Sequence, residues 1–274
     1  MSEFVCNIDV STLPKEGNLM KLYKRYSFIV LMTLLFVPSS VSAEGWGNYQ
    51  LTPYIWSTAM EGETGATNFG PGGNLNPITD LDMSFSDVLD NFDSGGLVTF
   101  QGSNGKWMFM VDAIYMKLSD GTSVGPVNAD AKVREKVFHT NLYYQLHKTD
   151  DYLLQAYGGL RYADIHTRIT LKGQLAGLLN RSISVGDDWV EPLIGVRSTK
   201  AFSDTWSLVG YIDVGGFGIG SDQTWQYGVT LDQTINENWS VKYGYRVIDI
   251  DYDDNNFIYD VETTGLLLGA SYTF

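Results

Sequence analysis

The sequence predicts an all-β protein, a closed antiparallel transmembrane β-barrel of about ten strands. Three observations carry that prediction: repeated period-2 alternation, connections that sort by length, and aromatic residues gathered at both ends of the alternating segments. The composition agrees. Of 274 residues, 44% are hydrophobic, 14% aromatic and only 18% charged, with 29 glycines, which suits an ordered β chain and argues against disorder.

The strands are expected near 47–60, 93–102, 106–118, 132–147, 152–171, 188–202, 205–218, 224–235, 239–250 and 258–274. Short hairpin connections fall at 103–105, 203–205 and 236–238, with 147–151 slightly longer, and Gly/Asn/Asp/Pro-rich connections fall at 61–92, 119–131, 172–187, 219–223 and 251–257. An even strand number, with short turns at one end and mostly longer connections at the other, is the outer-membrane pattern and places both chain ends on the periplasmic side. Eight or twelve strands are the alternatives, the latter if 61–92 or 172–187 hides a hairpin. Within the first connection, Phe85, Val88, Leu89 and Phe92 follow a possible cap at Ser84 with helical spacing. A short amphipathic helix over 84–92 is expected, as a lid, a plug or a loop ornament.

Trp46, Trp107, Trp206, Trp239, Phe202 and Phe274 stand at the short-turn ends of strands, and Tyr115, Trp189, Trp225 and Tyr259 at the opposite ends. Two interfacial girdles would place them so. Pro53 and Pro192 interrupt strand pattern and are expected at bulges.

Upstream of the strands, a basic segment (21–25), an apolar run (28–37) and SSVSA before Glu44 form the three regions of a secretory signal. The expected organisation is a leader over 1–43, with Met20 as the start and cleavage after Ala43, followed by a barrel over 44–274. The apolar run is too short for a membrane-spanning helix. Cys6, the only cysteine, lies in the leader, so neither a disulfide nor a lipid-modified thiol is expected in the mature chain. A formal net charge of −14 leaves no basic footprint for nucleic acid.

The parity opposite the apolar faces carries Asp112, His139, Arg161, Glu191, Arg197, Asp213, Lys242 and Arg246, with Asn141, Tyr143, Gln145, Gln155, Tyr157 and Gln226 among them. A polar interior within an apolar exterior inverts the soluble-protein pattern. The near balance of inward charges supports a salt-bridged lumen that holds the barrel shut, or a narrow pathway or pocket for a small polar or anionic solute. Catalysis has little to draw on: His139, His147 and His166 are the only histidines, and Asp164 with His166 lacks a serine in a nucleophile context. A non-enzymatic protein is expected, with a lipid-modifying hydrolase relying on His139 or His166 as the distant alternative. The stretch 249–260 spaces carboxylates like a calcium loop, but Asp254 stands where that turn requires glycine. Solvated acids, or bridging through divalent ions to lipopolysaccharide phosphate, remain, and neither a metal site nor a cofactor is expected.

The segments TPYIWSTAMEG, SFSDVLDNFD, WVEPLIGVR, VGGFGIGSDQTW and YRVIDIDYDD, with the terminal aromatic, occur in that order over the mature chain. Together they resemble a broad group of proteobacterial outer-membrane β-barrel proteins and, more distantly, porin-like and opacity-type small barrels. The resemblance implies fold and a bacterial outer-membrane location and brings no activity with it. An adhesive or interaction role through the outer loops is a further alternative. In 265–274, Leu266, Leu268, Ala270, Tyr272 and Phe274 alternate with smaller residues, so the last strand should pair with the first around 49–56 and close the ring. Tyr272 and Phe274 resemble the aromatic signal read by the outer-membrane assembly machinery. The expected partners are that machinery, outer-membrane lipid with lipopolysaccharide, and a small polar solute, with oligomeric state unspecified.

Overall fold

The computed structural model describes residues 46–68, 78–124, 127–173 and 181–274. The expectations for the leader 1–43 lie outside them. The chain forms β1 (Gly47–Ala66), β2 (Ile78–Met83), α1 (Phe85–Asp90), β3 (Phe92–Ser103), β4 (Trp107–Val124), β5 (Val127–Lys148), β6 (Tyr152–Gly173), β7 (Arg181–Ala201), β8 (Trp206–Gly215), β9 (Gln223–Thr234), β10 (Trp239–Asp254) and β11 (Phe257–Thr273).

Each strand from β3 to β11 pairs with its sequence neighbour, β3 pairs with β1, and β1 pairs with β11, so these ten strands close an antiparallel ring. The closing register runs from Gln50↔Thr273 to Ala66↔Phe257, as the terminal alternation predicts. The eleventh strand does not enlarge the ring. The inner half of β1 (Gly47 to Tyr54) pairs with β3, whereas its outer half (Met60 to Gly65) pairs with β2.

Several expectations change at the outer end. Residues 119–124, 127–131 and 251–254, expected in loops, are strand. β4 and β5 continue pairing to Val124↔Val127, and β10 and β11 to Asp254↔Phe257. Asn255 and Asn256 turn that hairpin with positive φ values of 53° and 64°, as a two-residue primed turn requires. Asp249 to Asp254 are therefore strand residues, and no calcium-loop backbone exists there. Pro53 and Pro192 are not bulges, because the register shifts lie at Gly47/Gln50, Phe92/Ser94 and Gln145/His147. Pro192 sits just past the last β7–β8 pair, Leu193↔Gly215. The N–H that proline lacks has no ladder partner to lose at that point.

The outward parity is apolar. Leu142, Leu146, Val111, Ile194, Val196, Ile212, Val229, Leu266 and Leu268 are all exposed. At the short-turn end Trp107 packs against Tyr144 at 4.8 Å and Trp239 against Tyr272 at 5.0 Å, forming the expected lower girdle. Phe274 joins Tyr49 and Phe100 on the outside of the seam, with ring centroids at 6.2 and 6.5 Å. At the opposite end the expected girdle is half wrong. Trp189 and Tyr259 are buried inside the ring, because their parity is that of Glu191 and Val261, and parity prevails over proximity to the interface.

The interior changes character with height. Above the middle it is an apolar core built from Met60, Met116, Leu118, Ile165, Trp189, Ile248, Ile250, Tyr252, Phe257, Tyr259 and Val261. Val88 of α1 is buried in this core, so the expected short helix exists and packs one side chain into the upper interior. It is shorter than 84–92, and Phe85 faces outward, 46% exposed. Its start is a capping box: Ser84 Oγ donates to Asp87 Oδ2 at 2.5 Å and the Ser84 N–H donates to the same oxygen at 2.9 Å.

Candidate functional site

Below the apolar core, Asp112, Arg161, Glu191, Asp213 and Arg246, five of the inward candidates named from the sequence, assemble into one network. Arg161 of β6 is fully buried. Its Nη1 donates to Glu191 Oε1 at 2.6 Å and its Nη2 to Asp213 Oδ1 at 2.8 Å. Glu191 also accepts from Trp189 Nε1 at 3.2 Å, Thr224 Oγ1 at 3.1 Å and Ser221 Oγ. Asp213 accepts further from the Tyr157 hydroxyl at 2.8 Å and from Gln226 Nε2 at 3.0 Å. The Gln226 carbonyl accepts from Arg246 Nη2 at 2.8 Å, and Arg246 Nη1 donates to Asp112 Oδ2 at 2.9 Å. Tyr54 and Thr99 complete the shell of Asp112 with hydroxyl hydrogen bonds of 2.8 and 3.0 Å.

The chain of contacts thus reaches from β6 through β7, β8, β9 and β10 to β4, β1 and β3. It carries two guanidinium groups and three carboxylates, each held by several partners, which is the condition under which buried charge is tolerable. The backbone makes room for it. A Cβ at Gly195 would lie 2.5 Å from the Tyr157 ring and 2.7 Å from the Asp213 Cβ, so glycine lets this tyrosine reach its carboxylate.

The remaining candidates lie toward the short turns. Arg197 Nη1 donates to Gln155 Oε1 at 3.1 Å, and the guanidinium lies 5.9 Å from the Tyr143 ring centre. Among the described residues it has no carboxylate partner. Lys242 forms an ion pair with Asp232 on the neighbouring strand. Arg197, Lys242 and Asp232, with Gln50, Gln101 and Tyr211, line a cavity of about 110 Å³ whose inner wall is the Arg246–Asp112 pair. His139 borders it; the ring is buried and its Nε2 has no hydrogen-bond partner.

His139 and His166 stand on opposite faces of the barrel wall. His139 is inward and buried; His166 is outward and contacts Asp164 through Nδ1 at 2.7 Å. They cannot serve one site. Among the described residues no group of His, Cys, Asp or Glu has the arrangement of a metal site. Sequence reasoning overlooked Tyr54, Thr99, Tyr211, Ser221, Thr224 and Asp232. Tyr211 shares inward parity with Asp213 on β8, and Thr224 and Asp232 share it with Gln226 on β9, so that signal was available. Ser221 lies on the β8–β9 connection, where parity says nothing.

No family model matches the chain, and no curated protein matches it. Among solved structures it is similar to the outer membrane protease OmpT from Escherichia coli, with a TM-score of 0.54 and 10% identity over 83% of this chain and 97% of that one. Ail, the attachment invasion locus protein of Yersinia pestis in complex with sucrose octasulfate, is similar at a TM-score of 0.36 and 11% identity, covering 83% and 99%. A major outer membrane protein from Thermus thermophilus gives 0.37 and 12%, covering 82% and 99%. The first similarity shows the fold, an outer-membrane β-barrel. The apolar belt around a polar, hydrogen-bonded middle gives the physical reason for the same location: this chain is a bacterial outer-membrane protein.

Proposed function

We propose that the protein is a closed, non-enzymatic outer-membrane barrel with a structural role. The observation that supports this reading is the buried network at mid-height, in which Arg161, Glu191 and Asp213 are at most 1% exposed and fill the space a pathway would need. The apolar core and α1 form a second obstruction above it. The cavity of about 110 Å³ is then a vestibule open toward the periplasm and ending at Arg246. Its size suits a few ordered waters.

Arg197 favours one second reading, a narrow porin-like protein or binding pocket for a small polar or anionic solute. A guanidinium that faces the cavity and holds no carboxylate of its own is free to take an anion. Single-channel recording separates the two. Full-length protein in planar bilayers is expected to pass no current at any voltage tolerated by the bilayer. Stable conductance steps that change on Arg197→Gln would overturn the closed reading in favour of the second.

A further inference from the structure

The outward surface just above the apolar belt is divided by charge. On β4, β5 and β6 it carries Lys117, Lys132, Arg134, Lys136, His166 and Arg168. The register sets Lys117 beside Arg134, Arg134 beside His166, and Lys132 beside Arg168. Asp164 holds part of this cluster, at 2.8 Å from Lys136 Nζ and 3.3 Å from Arg134 Nη2, and Asp188 stands opposite Asp164 on β7. Lys117 reaches Asp93 only at 3.9 Å. Among the described residues Lys132 and Arg168 have no ion-pair partner, and Arg134 Nε is buried without a hydrogen-bond acceptor. The opposite wall is the reverse. There Asp82, Glu61, Glu262 and Asp249 face one another across β2, β1, β11 and β10, as do Asp80, Glu63, Asp260 and Asp251.

In a chain of net charge −14, a cationic field on one wall is a departure that needs a counter-charge. Its height identifies one. Leu146 marks the lower edge of the belt on β5, and ten residues at ~3.4 Å rise and ~40° tilt bring Lys136 about 25 Å higher, the height of the apolar band of such barrels. Between them lie the Phe138–Tyr162 pair, with centroids 6.2 Å apart, and Leu142. Ala156 and Gly158 follow on the lipid side of β6, next to the exposed Ile194. The cations therefore stand where the outer leaflet's polar headgroups begin, above a surface on which acyl chains can lie.

We propose that the outward faces of β4, β5 and β6 bind the phosphorylated headgroup of an outer-leaflet glycolipid, with Arg134, Lys136, Lys132 and Arg168 on the phosphate and Leu142, Leu160 and Gly158 under its acyl chains. Guanidinium and ammonium groups suit a phosphate, the first bidentately and the second as a point charge. The acidic wall repels the same headgroup, so the lipid is held on one side of the barrel only.

The test is a titration of the detergent-solubilised full chain with bisphosphorylated lipid A, read by native mass spectrometry. Wild type should retain bisphosphorylated lipid A and not its dephosphorylated form, and inorganic phosphate should not displace it. Lys132→Gln/Arg134→Gln/Lys136→Gln should weaken retention by about a hundredfold, on the scale of ~1 kcal/mol per basic residue near a charged surface. Glu61→Gln/Glu262→Gln on the opposite wall should not weaken it. Equal retention of the dephosphorylated lipid would overturn the proposal, as would full displacement by inorganic phosphate or undiminished retention by the triple variant. The dephosphorylated comparison uses wild type alone, so it decides the matter even if the triple variant fails to fold.

Discussion

Arg161 shows most clearly what a buried charge does in this barrel. It is the shared counter-charge of two carboxylates at 2.6 and 2.8 Å, and no water-exposed side-chain surface remains to any of the three. Arg161→Met leaves Glu191 and Asp213 buried without their counter-charge and is expected to cost about 3–5 kcal/mol. Replacing all three by apolar residues of similar volume should recover much of that loss. Urea titration of folded protein in micelles measures both, and a single variant as stable as wild type would sink the account. Gly195 makes a steric argument at the same level. Gly195→Ala drives a methyl into Tyr157 and the Ile212 carbonyl, 2.5 Å away in each case, and should cost about 1–3 kcal/mol. Glu135 points the other way. It is buried, and its Oε2 lacks a partner, so Glu135→Gln should be neutral or stabilising by up to about 1 kcal/mol in the same titration.

Among the elements, α1 is the most easily isolated by experiment. Ser84 caps it, and the hydrogen bonds from its hydroxyl and its N–H hold the Asp87 carboxyl below the usual carboxylate range. A depressed folded value means this stabilisation is complete above the ordinary pKa of ~4 and is lost as pH falls through the folded value. Exchange protection of the Val88 and Asn91 amides, which donate to Ser84 and Asp87 carbonyls at 3.0 Å, should therefore drop only in acid. Ser84→Ala should weaken it at neutral pH by about 1 kcal/mol. This helix was legible in the sequence because its cap and its spacing are local. So were the ring strands, their parity and the closing seam. The outer extensions of β4, β5, β10 and β11 were not. Their Gly, Asp, Asn and Ser residues read as loop, and only pairing with an equally extended neighbour makes them strand. For the same reason β2 was missed, since its six residues take their conformation from the outer half of β1. Trp189 and Tyr259 were misplaced because an expected girdle was allowed to override a parity already established.

For the whole molecule, the proposed closure rests on two obstructions in series with different chemistry. At mid-height the obstruction is polar, the Arg161 and Arg246 network; above it is apolar, where Trp189 stacks on Tyr252 at 3.9 Å and Val88 of α1 joins Met60 and Met116 in one buried cluster. The inward parity of β4 reads Asp112, Ile114, Met116 and Leu118, and that of β10 reads Arg246, Ile248, Ile250 and Tyr252. The switch from polar to apolar was therefore visible, although the expectation of a polar lumen ran through it. Two barriers in series predict a specific dependence of current on substitution. Replacing 84–91 by a Gly/Ser linker should leave the barrel non-conducting, because the network below is untouched. Asp112→Ser/Arg161→Ser/Glu191→Ser/Asp213→Ser/Arg246→Ser should also pass no current, because an apolar constriction excludes water and ions even where it is not sterically sealed. Conductance should appear when these changes are combined with Trp189→Ala/Tyr252→Ala, with folding verified by heat-modifiable migration. Current through the linker variant alone would show that the network does not close the lumen.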